Sequence, residues 1–203
     1  VITQIYKGSG SRSNRKNWRP LTILNVDYKI LAKILFNRLR PIISKIVHPD
    51  QTCSVPGRDI RDGLSKIYNV INYTDDQDID GLLLSVDHMS AFDIIEWEYI
   101  YQVIDYFGLG ENFRKWIETI YKNHHVCAKL QINGFVTESF KVSRGIRQGC
   151  PLSAILYVLV SETVTNHIRN NSSIPGLVLL GKEYKICNYA DDTNFFLSNF
   201  EAV

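Results

Sequence analysis

Tyr184-Lys185-Ile186-Cys187-Asn188-Tyr189-Ala190-Asp191-Asp192-Thr193-Asn194-Phe195-Phe196-Leu197 sets two adjacent carboxylates between two short apolar stretches. Tyr184 to Tyr189 and Asn194 to Leu197 read as strands, with Tyr189-Ala190-Asp191-Asp192 at the tip that joins them. Ionised carboxylates cannot enter a core uncompensated, because burial costs several kcal/mol per charge. At a hairpin tip they are free to meet a hard cation. Asp also favours turns, so this tip taken alone is most often a plain turn.

Working outward, Leu82 to Val86 is an apolar run, interrupted by Ser85, between Gly81 and Asp87, of a length that suits a buried strand. Asp87 at its end is placed to project from a sheet edge. It would supply what the Asp pair lacks, since two divalent ions need oxygen ligands converging from more than one strand. Phe92 and Asp93 follow, and Asp93 reads as the cap of the next helix. Further on, Gly145-Ile146-Arg147-Gln148-Gly149-Cys150-Pro151-Leu152-Ser153 leads into a long, mostly apolar helix from Leu152 to Ile168. The glycines and Pro151 suit any loop-to-helix junction. They also permit close backbone approach, and Gln148 offers both a donor and an acceptor.

The remaining elements follow from periodicity. Val1 to Tyr6 is strand-like, and Lys7 to Asn17 (KGSGSRSNRKN) reads as a mobile basic loop. That loop lacks the G-K-[ST] ending of a phosphate-cradling P-loop. Val26, Ile30, Leu31, Ile34, Leu35 and Leu39 follow helical spacing, with Pro41 marking a break or bend. Val55-Pro56-Gly57-Arg58 is a turn before a helix reaching Ile71. Trp97 to Phe107 and Phe113 to Tyr121 read as helices. Val126 to Ile132 and Phe135 to Val142 straddle Asn133-Gly134, a strong hairpin signal. Leu177 to Leu180 is a further strand. The mixture is α+β: a small, mainly antiparallel sheet packed on helices.

Composition narrows the classes. A chain of 203 residues suits one domain, or one with a small sub-domain. The four cysteines Cys53, Cys127, Cys150 and Cys187 form no C-x-x-C pair, which argues against a zinc ribbon or a disulfide scaffold. Reduced thiols point to the nucleus and cytoplasm. His124-His125 near Cys127 reads as a turn or helix end, because tetrahedral zinc needs four well-spaced ligands. No apolar run approaches the roughly 20 residues that cross a bilayer, and the sequons at Asn72, Asn170 and Asn171 read as chance matches. The formal net charge is +2, unevenly spread. Ten basic residues up to Lys45 face the single acid Asp27, whereas Thr74 to Asp105 holds nine acids and no Lys or Arg. That polarity suits either a polyanion held near a cation site or ordinary solvated surfaces.

Together the motifs resemble one family. Asp87-x-x-x-Ala91-Phe92-Asp93, then Gly145-x-x-Gln148-Gly149-Cys150-Pro151-Leu152-Ser153, then Tyr189-Ala190-Asp191-Asp192 are similar to the three palm motifs of reverse transcriptases, in order and at similar spacing. Asn17-Trp18-Arg19-Pro20-Leu21-Thr22, Asn25-Val26-Asp27-Tyr28-Lys29-Ile30-Leu31 and Val55-Pro56-Gly57-Arg58 resemble the fingers motifs of the non-LTR, LINE-type retrotransposon enzymes. Ser90 stands where that family often has Lys, and Tyr6 where Pro is common; neither departure touches a presumptive ligand.

The resemblance implies the fingers and palm of a right-hand polymerase, with residues 1–80 mainly fingers and 81–203 mainly palm with a fingers/palm insertion. It implies an RNA-directed DNA polymerase using two Mg²⁺ ions, with Mn²⁺ as a substitute. Asp87 and Asp191 would be the main ligands, completed by Asp192. Phe92 falls on the steric gate that favours dNTPs. Gln148 and Gly149 would line the nucleotide pocket, and Arg19 and Lys7 would meet the triphosphate. Arg58 and Arg147 would contact nucleic acid, the partners being an RNA template and a DNA primer, with no membrane. A chain opening at Val1 and stopping at Val203 reads as a piece of a longer polyprotein, without thumb or endonuclease. Two other readings share the pattern: an inactive, domesticated fragment that only binds nucleic acid, and, more remotely, an RNA-dependent RNA polymerase.

Overall fold

The computed structural model describes residues 1–121 and 126–199. It divides into two interleaved compact units, Val1–Arg38 with Phe92–Ser153, and Leu39–Ala91 with Ala154–Val203. The expected His124-His125 turn lies outside the described residues.

In the first unit, strands β1 (Ile2–Tyr6) and β2 (Trp18–Thr22) pair antiparallel, Ile2 opposite Thr22 and Tyr6 opposite Trp18. Lys7 to Asn17 joins them. This loop is cross-tied: Asn17 Nδ2 donates to the Ser11 carbonyl at 2.8 Å, Trp18 Nε1 to the Arg12 carbonyl at 2.9 Å, and the Tyr6 hydroxyl to the Gly10 carbonyl. The side chains of Tyr6, Ser11, Asn14, Asn17 and Trp18 thus bond to the loop's own backbone, in a stretch whose composition reads as mobile.

Helix α1 (Val26–Ile46) begins in this unit and continues through Pro41. Its buried residues Ala32, Leu35, Leu39 and Ile43 continue on both sides of the proline. Packing along that stripe outweighs one lost backbone hydrogen bond, so the expected break is absent.

Helices α3 (Trp97–Tyr106) and α4 (Glu111–Tyr121) follow in the first unit, separated by Gly108 and Gly110, both at positive φ. Each buries a face rich in Ile and aromatics, among them Trp97, Ile100, Ile104 and Ile117. Next come β4 (Cys127–Ala128), β5 (Leu130–Ile132), β6 (Phe135–Val136) and β7 (Phe140–Lys141). Asn133 and Gly134 have φ of 50° and 84°, the two positive values that a tight primed hairpin turn requires. β5 pairs β6 across that turn, β4 pairs β7, and β5 also runs parallel to β1, giving the sheet order β2-β1-β5-β6.

In the second unit, helix α2 (Ile60–Asp76) opens on a capping box: the Asp59 carboxylate accepts the Arg61 N–H at 2.9 Å, and Asp62 accepts the Asp59 N–H at 2.8 Å. Strand β3 (Leu82–Asp87) pairs antiparallel with β11 (Asp192–Leu197), which pairs antiparallel with β10 (Ile186–Tyr189). β3 is therefore a sheet edge. Leu83 and Val86 are exposed, so the apolar run Leu82 to Val86 is not the buried strand its composition suggested; only Leu82 and Leu84 are half covered. A small hairpin, β8 (Leu177–Leu179) with β9 (Lys182–Tyr184), completes the sheets. Its second strand and β10 were read as one strand; Lys185, whose ammonium donates to the Arg169 and Asn171 carbonyls, separates them.

Helix α5 (Ser153–Arg169) has residues Ile155 to Glu162 almost wholly buried. A first half covered nearly all round is why its sequence reads as mostly apolar. Val70, Leu177, Leu179, Cys187 and Phe196 form a core cluster, with Ile67, Tyr73 and Tyr184 packed against it.

Candidate active site

In the second unit, the register sets Asp87 directly opposite Asp192 across the β3/β11 ladder. Asp191 is the preceding turn residue, and its carbonyl faces the His88 N–H at 3.4 Å. Three aspartates thus lie at one end of the three-stranded sheet. The tip is held in shape from below. Gln51 is buried, and its Oε1 accepts the Ala190 N–H at 3.1 Å and the Cys53 N–H at 2.9 Å. Its Nε2 faces the Ala190 carbonyl at 3.5 Å. Ala190 has φ 54°, the left-handed region that a side chain disfavours, so the amide clamp offsets a local strain.

The segment carrying Gln51 is itself anchored. The Asn188 N–H donates to the Asp50 carbonyl at 2.9 Å, and the Thr52 N–H to the Asn188 carbonyl at 3.0 Å. The half-buried Asp50 carboxylate meets Lys66 at 2.5 Å and Arg169 at 3.2 Å, and Arg169 also meets buried Glu162 at 3.3 Å. Burial pushes the Glu162 carboxyl above its ordinary range, with Arg169 opposing the rise.

Arg58, expected on nucleic acid, donates to the carbonyls of Ser44, Val47, His48 and Gln51 at 2.6 to 3.2 Å. It satisfies carbonyls left open at and just beyond the end of α1, where a cation also suits the helix dipole.

Two residues that the motifs did not single out stand beside the carboxylates. The ring Nδ1 of His88 lies 2.9 Å from the hydroxyl of Tyr157 on α5. Tyr157 is buried, and its pKa is pushed far up, first by burial and then by the charges of Asp191, Asp87 and Asp192. Nothing in the sequence marks this pair, because His88 and Tyr157 are 69 residues apart.

In the first unit, Gln148 Nε2 donates to Asp93 Oδ1 at 3.2 Å. Asp93 is therefore not a helix cap: α3 starts at Trp97, and its N-cap residue Glu96 makes no side-chain cap bond. Burial raises the Asp93 pKa, opposed by the Gln148 hydrogen bond and by the charge of Lys7. Lys7 and Arg19 are exposed near the β1/β2 hairpin, Arg19 opposite Ile5. The Phe92 carbonyl accepts the Ile146 N–H at 2.7 Å.

The two motif glycines are needed for protein contacts. A Cβ on Gly145, φ 90°, would stand 2.9 Å from the Asp93 carbonyl oxygen, and one on Gly149, φ 98°, 3.1 Å from that of Thr22. Arg147 lies between the Tyr28 and Tyr121 rings, 5.1 and 4.8 Å from their centroids. It donates to the Tyr28 hydroxyl at 2.8 Å and to the Ile120 carbonyl at 3.0 Å. Arg147 and Arg58 both have structural partners that their motifs do not reveal. A cavity of about 470 Å³ adjoins Arg147, Gln148, Asp93 and Trp97.

Among the described residues, no three His, Cys, Asp or Glu side chains form a ready-made metal group. The donor set at Asp87, Asp191 and Asp192 nevertheless fits a hard cation. Mg²⁺ takes one or two carboxylates per ion and completes its shell with water and substrate phosphates. Among the described residues, no helix is long and apolar enough to cross a membrane.

Helices with small, mainly antiparallel sheets, one of which carries aspartates at one end, are consistent with an α+β polymerase fold. The model of the reverse transcriptase (RNA-dependent DNA polymerase) family matches residues 5–203. The chain belongs to the reverse transcriptase family, in the group carried by non-LTR retrotransposons. It is 35% identical over 179 residues to the Xenopus laevis transposon TX1 uncharacterized 149 kDa protein, covering 87% of this chain and 13% of that one. It is 25% identical over 193 residues to the Pol polyprotein of a type-1 R2 retrotransposable element from Popillia japonica, covering 94% of this chain and 26% of that one. The chain thus spans well under a third of these relatives. Apo telomerase from Candida tropicalis, truncated from its C-terminal domain, shares the fold at a TM-score of 0.51 and 14% identity, over 87% of this chain and 34% of that one.

Proposed function

We propose that the chain is the fingers-and-palm core of an RNA-directed DNA polymerase acting in retrotransposition, residues 1–80 contributing mainly fingers and 81–203 mainly palm. The observation that carries this is the convergence of Asp87, Asp191 and Asp192 on one sheet end in a chain of this family. The reaction joins a primer 3′-hydroxyl to the α-phosphate of a dNTP and expels pyrophosphate. Asp87 and Asp191 would hold two Mg²⁺ ions, with Asp192 completing the site and Mn²⁺ able to substitute. Bound there, the ions supply Lewis acidity, lowering the hydroxyl pKa and neutralising charge on the departing pyrophosphate. The protein's share is positioning and charge. Arg19 forms a bidentate fork on the triphosphate, aided by Lys7. Gln148 and Gly149 line the nucleotide, with Gln148 oriented by Asp93. Phe92 excludes the ribose 2′-hydroxyl. The partners are an RNA template and a DNA primer.

The test is primer extension on an RNA template with Mg²⁺, dNTPs and rNTPs in separate reactions, and Asp191→Ala as control. Extension with dNTPs alone, lost in the control, is expected. Extension with rNTPs would transfer the chain to the RNA-polymerase class. Binding of primer–template without extension would support a nucleic-acid-binding fragment.

A further inference from the structure

His88 is the only residue between Asp87 and the turn Met89-Ser90, and it is tied at three points. Its N–H faces the Asp191 carbonyl at 3.4 Å, its carbonyl accepts the Ala91 N–H at 3.2 Å, and its Nδ1 lies 2.9 Å from the Tyr157 hydroxyl. One residue therefore touches the turn of the Asp pair through its backbone, follows the β3 aspartate in sequence, and reaches helix α5 through its ring. Tyr157 is buried to 3% exposure, so its hydroxyl must find a partner inside the protein. Burial first, and then the charges of Asp191, Asp87 and Asp192, keep the proton on that phenol, so it can donate.

We propose that Tyr157 and His88 form a positioning pair: their hydrogen bond locks His88, and through it fixes the placement of Asp87 against the Asp191 turn so that the carboxylates are preset for a divalent cation. This rests on the reading of Asp87, Asp191 and Asp192 as ligands. A ring braced by a buried hydroxyl resembles, in physical terms, the outer partners that orient metal ligands elsewhere, whose loss costs tenfold or more in metal affinity. The link here runs through the backbone: freeing the imidazole lets residue 88 and the adjoining Asp87 sample other rotamers and torsions. Three like charges have every reason to spread once released, since carboxylates repel at close range.

The experiment titrates Mn²⁺ alone into the 203-residue chain, with binding followed by electron paramagnetic resonance of the free ion. The variants are Asp191→Ala, Tyr157→Phe, His88→Leu, His88→Asn and the Tyr157→Phe/His88→Leu double change. Tyr157→Phe keeps the buried ring and removes only the oxygen. Asn presents Oδ1 where His presents Nδ1, so it accepts the same hydrogen bond. The expected result is loss of binding in Asp191→Ala and weakening of about tenfold in both Tyr157→Phe and His88→Leu. Binding near wild type in His88→Asn, and no further loss in the double variant, complete the expectation. If Asp191→Ala abolishes binding while Tyr157→Phe binds as wild type, the brace is overturned and the carboxylate site stands. If Asp191→Ala binds Mn²⁺ as wild type, the carboxylate site fails, and the brace with it. Equal weakening in His88→Asn and His88→Leu would also overturn the proposal, because packing of the ring rather than its hydrogen bond would then matter.

Discussion

Gln51 carries no charge and sits far in sequence from the Asp pair, yet it holds the backbone of that tip at Ala190. Replacing it with Ala leaves the N–H groups of Ala190 and Cys53 without their acceptor. An unsatisfied buried donor costs roughly 1–3 kcal/mol, so Gln51→Ala should lose about 2–4 kcal/mol by urea unfolding, and Gln51→Glu should not restore a clamp that needs both an acceptor and a donor. A change below about 0.5 kcal/mol would mean that water replaces the amide freely. Phe92 makes a chemical rather than a structural prediction. Phe92→Val should raise the ratio of rNTP to dNTP incorporation by roughly tenfold or more, since the extra space removes a clash worth a few kcal/mol. Single-nucleotide incorporation measures it, and an unchanged ratio would reduce Phe92 to a packing residue.

Elements differ in how much of themselves they display in sequence. The β5/β6 hairpin was legible because Asn133-Gly134 meets a backbone demand that few dipeptides meet. The helices α3 and α4 were legible from period and from their glycine separators. Helix α1 continues past Pro41 rather than breaking there, because a proline's local cost is visible in sequence while the burial that overrides it is not. Strand β3 was misread as buried for the converse reason: apolar composition records what a surface could cover, and this strand is an edge. The three aspartates were legible as motif members, but Gln51, His88 and Tyr157 were not. Their partners lie 139 and 69 residues away, and no local pattern encodes such contacts. Helix α5 carries a pH prediction. Its Glu162 has a folded pKa raised above the ordinary 4.5. The native state therefore binds the proton more tightly than the unfolded chain, and this contribution to stability is present below pH 4.5 and lost as pH rises through the raised value. Glu162→Gln should flatten that part of the profile in unfolding measured at a series of pH values. Stability that falls equally with pH in the variant would assign the slope to another group, Asp93 being the next with a raised pKa.

At the scale of the whole molecule, charge is the property to test, because a net +2 hides a strongly basic first segment. Arg12, Arg15 and Lys16 lie exposed on the loop between β1 and β2. Internal hydrogen bonds from Asn17, Trp18 and Tyr6 shape that loop, so these cations are not what holds it. Arg12 stacks over Tyr6 with its charge still open to solvent. If the loop tracks a nucleic-acid backbone, each cation that meets a phosphate releases counterions, and affinity falls with salt by a slope of roughly 0.7–0.9 per contact on logarithmic axes. Changing all three to Ala should lower the slope for primer–template by about 2–3, measured by fluorescence anisotropy across a KCl series, and should weaken binding equally for unrelated sequences. Because the loop is built from its own backbone contacts, the triple variant should unfold at nearly the wild-type urea concentration, exposed charges being worth little to stability. A salt slope unchanged in the triple variant would mean that nucleic acid follows another basic surface. Lys29, Lys33, Arg38 and Arg40 of α1 are then the next set to neutralise, since no acid but Asp27 lies among the first 45 residues to hold them.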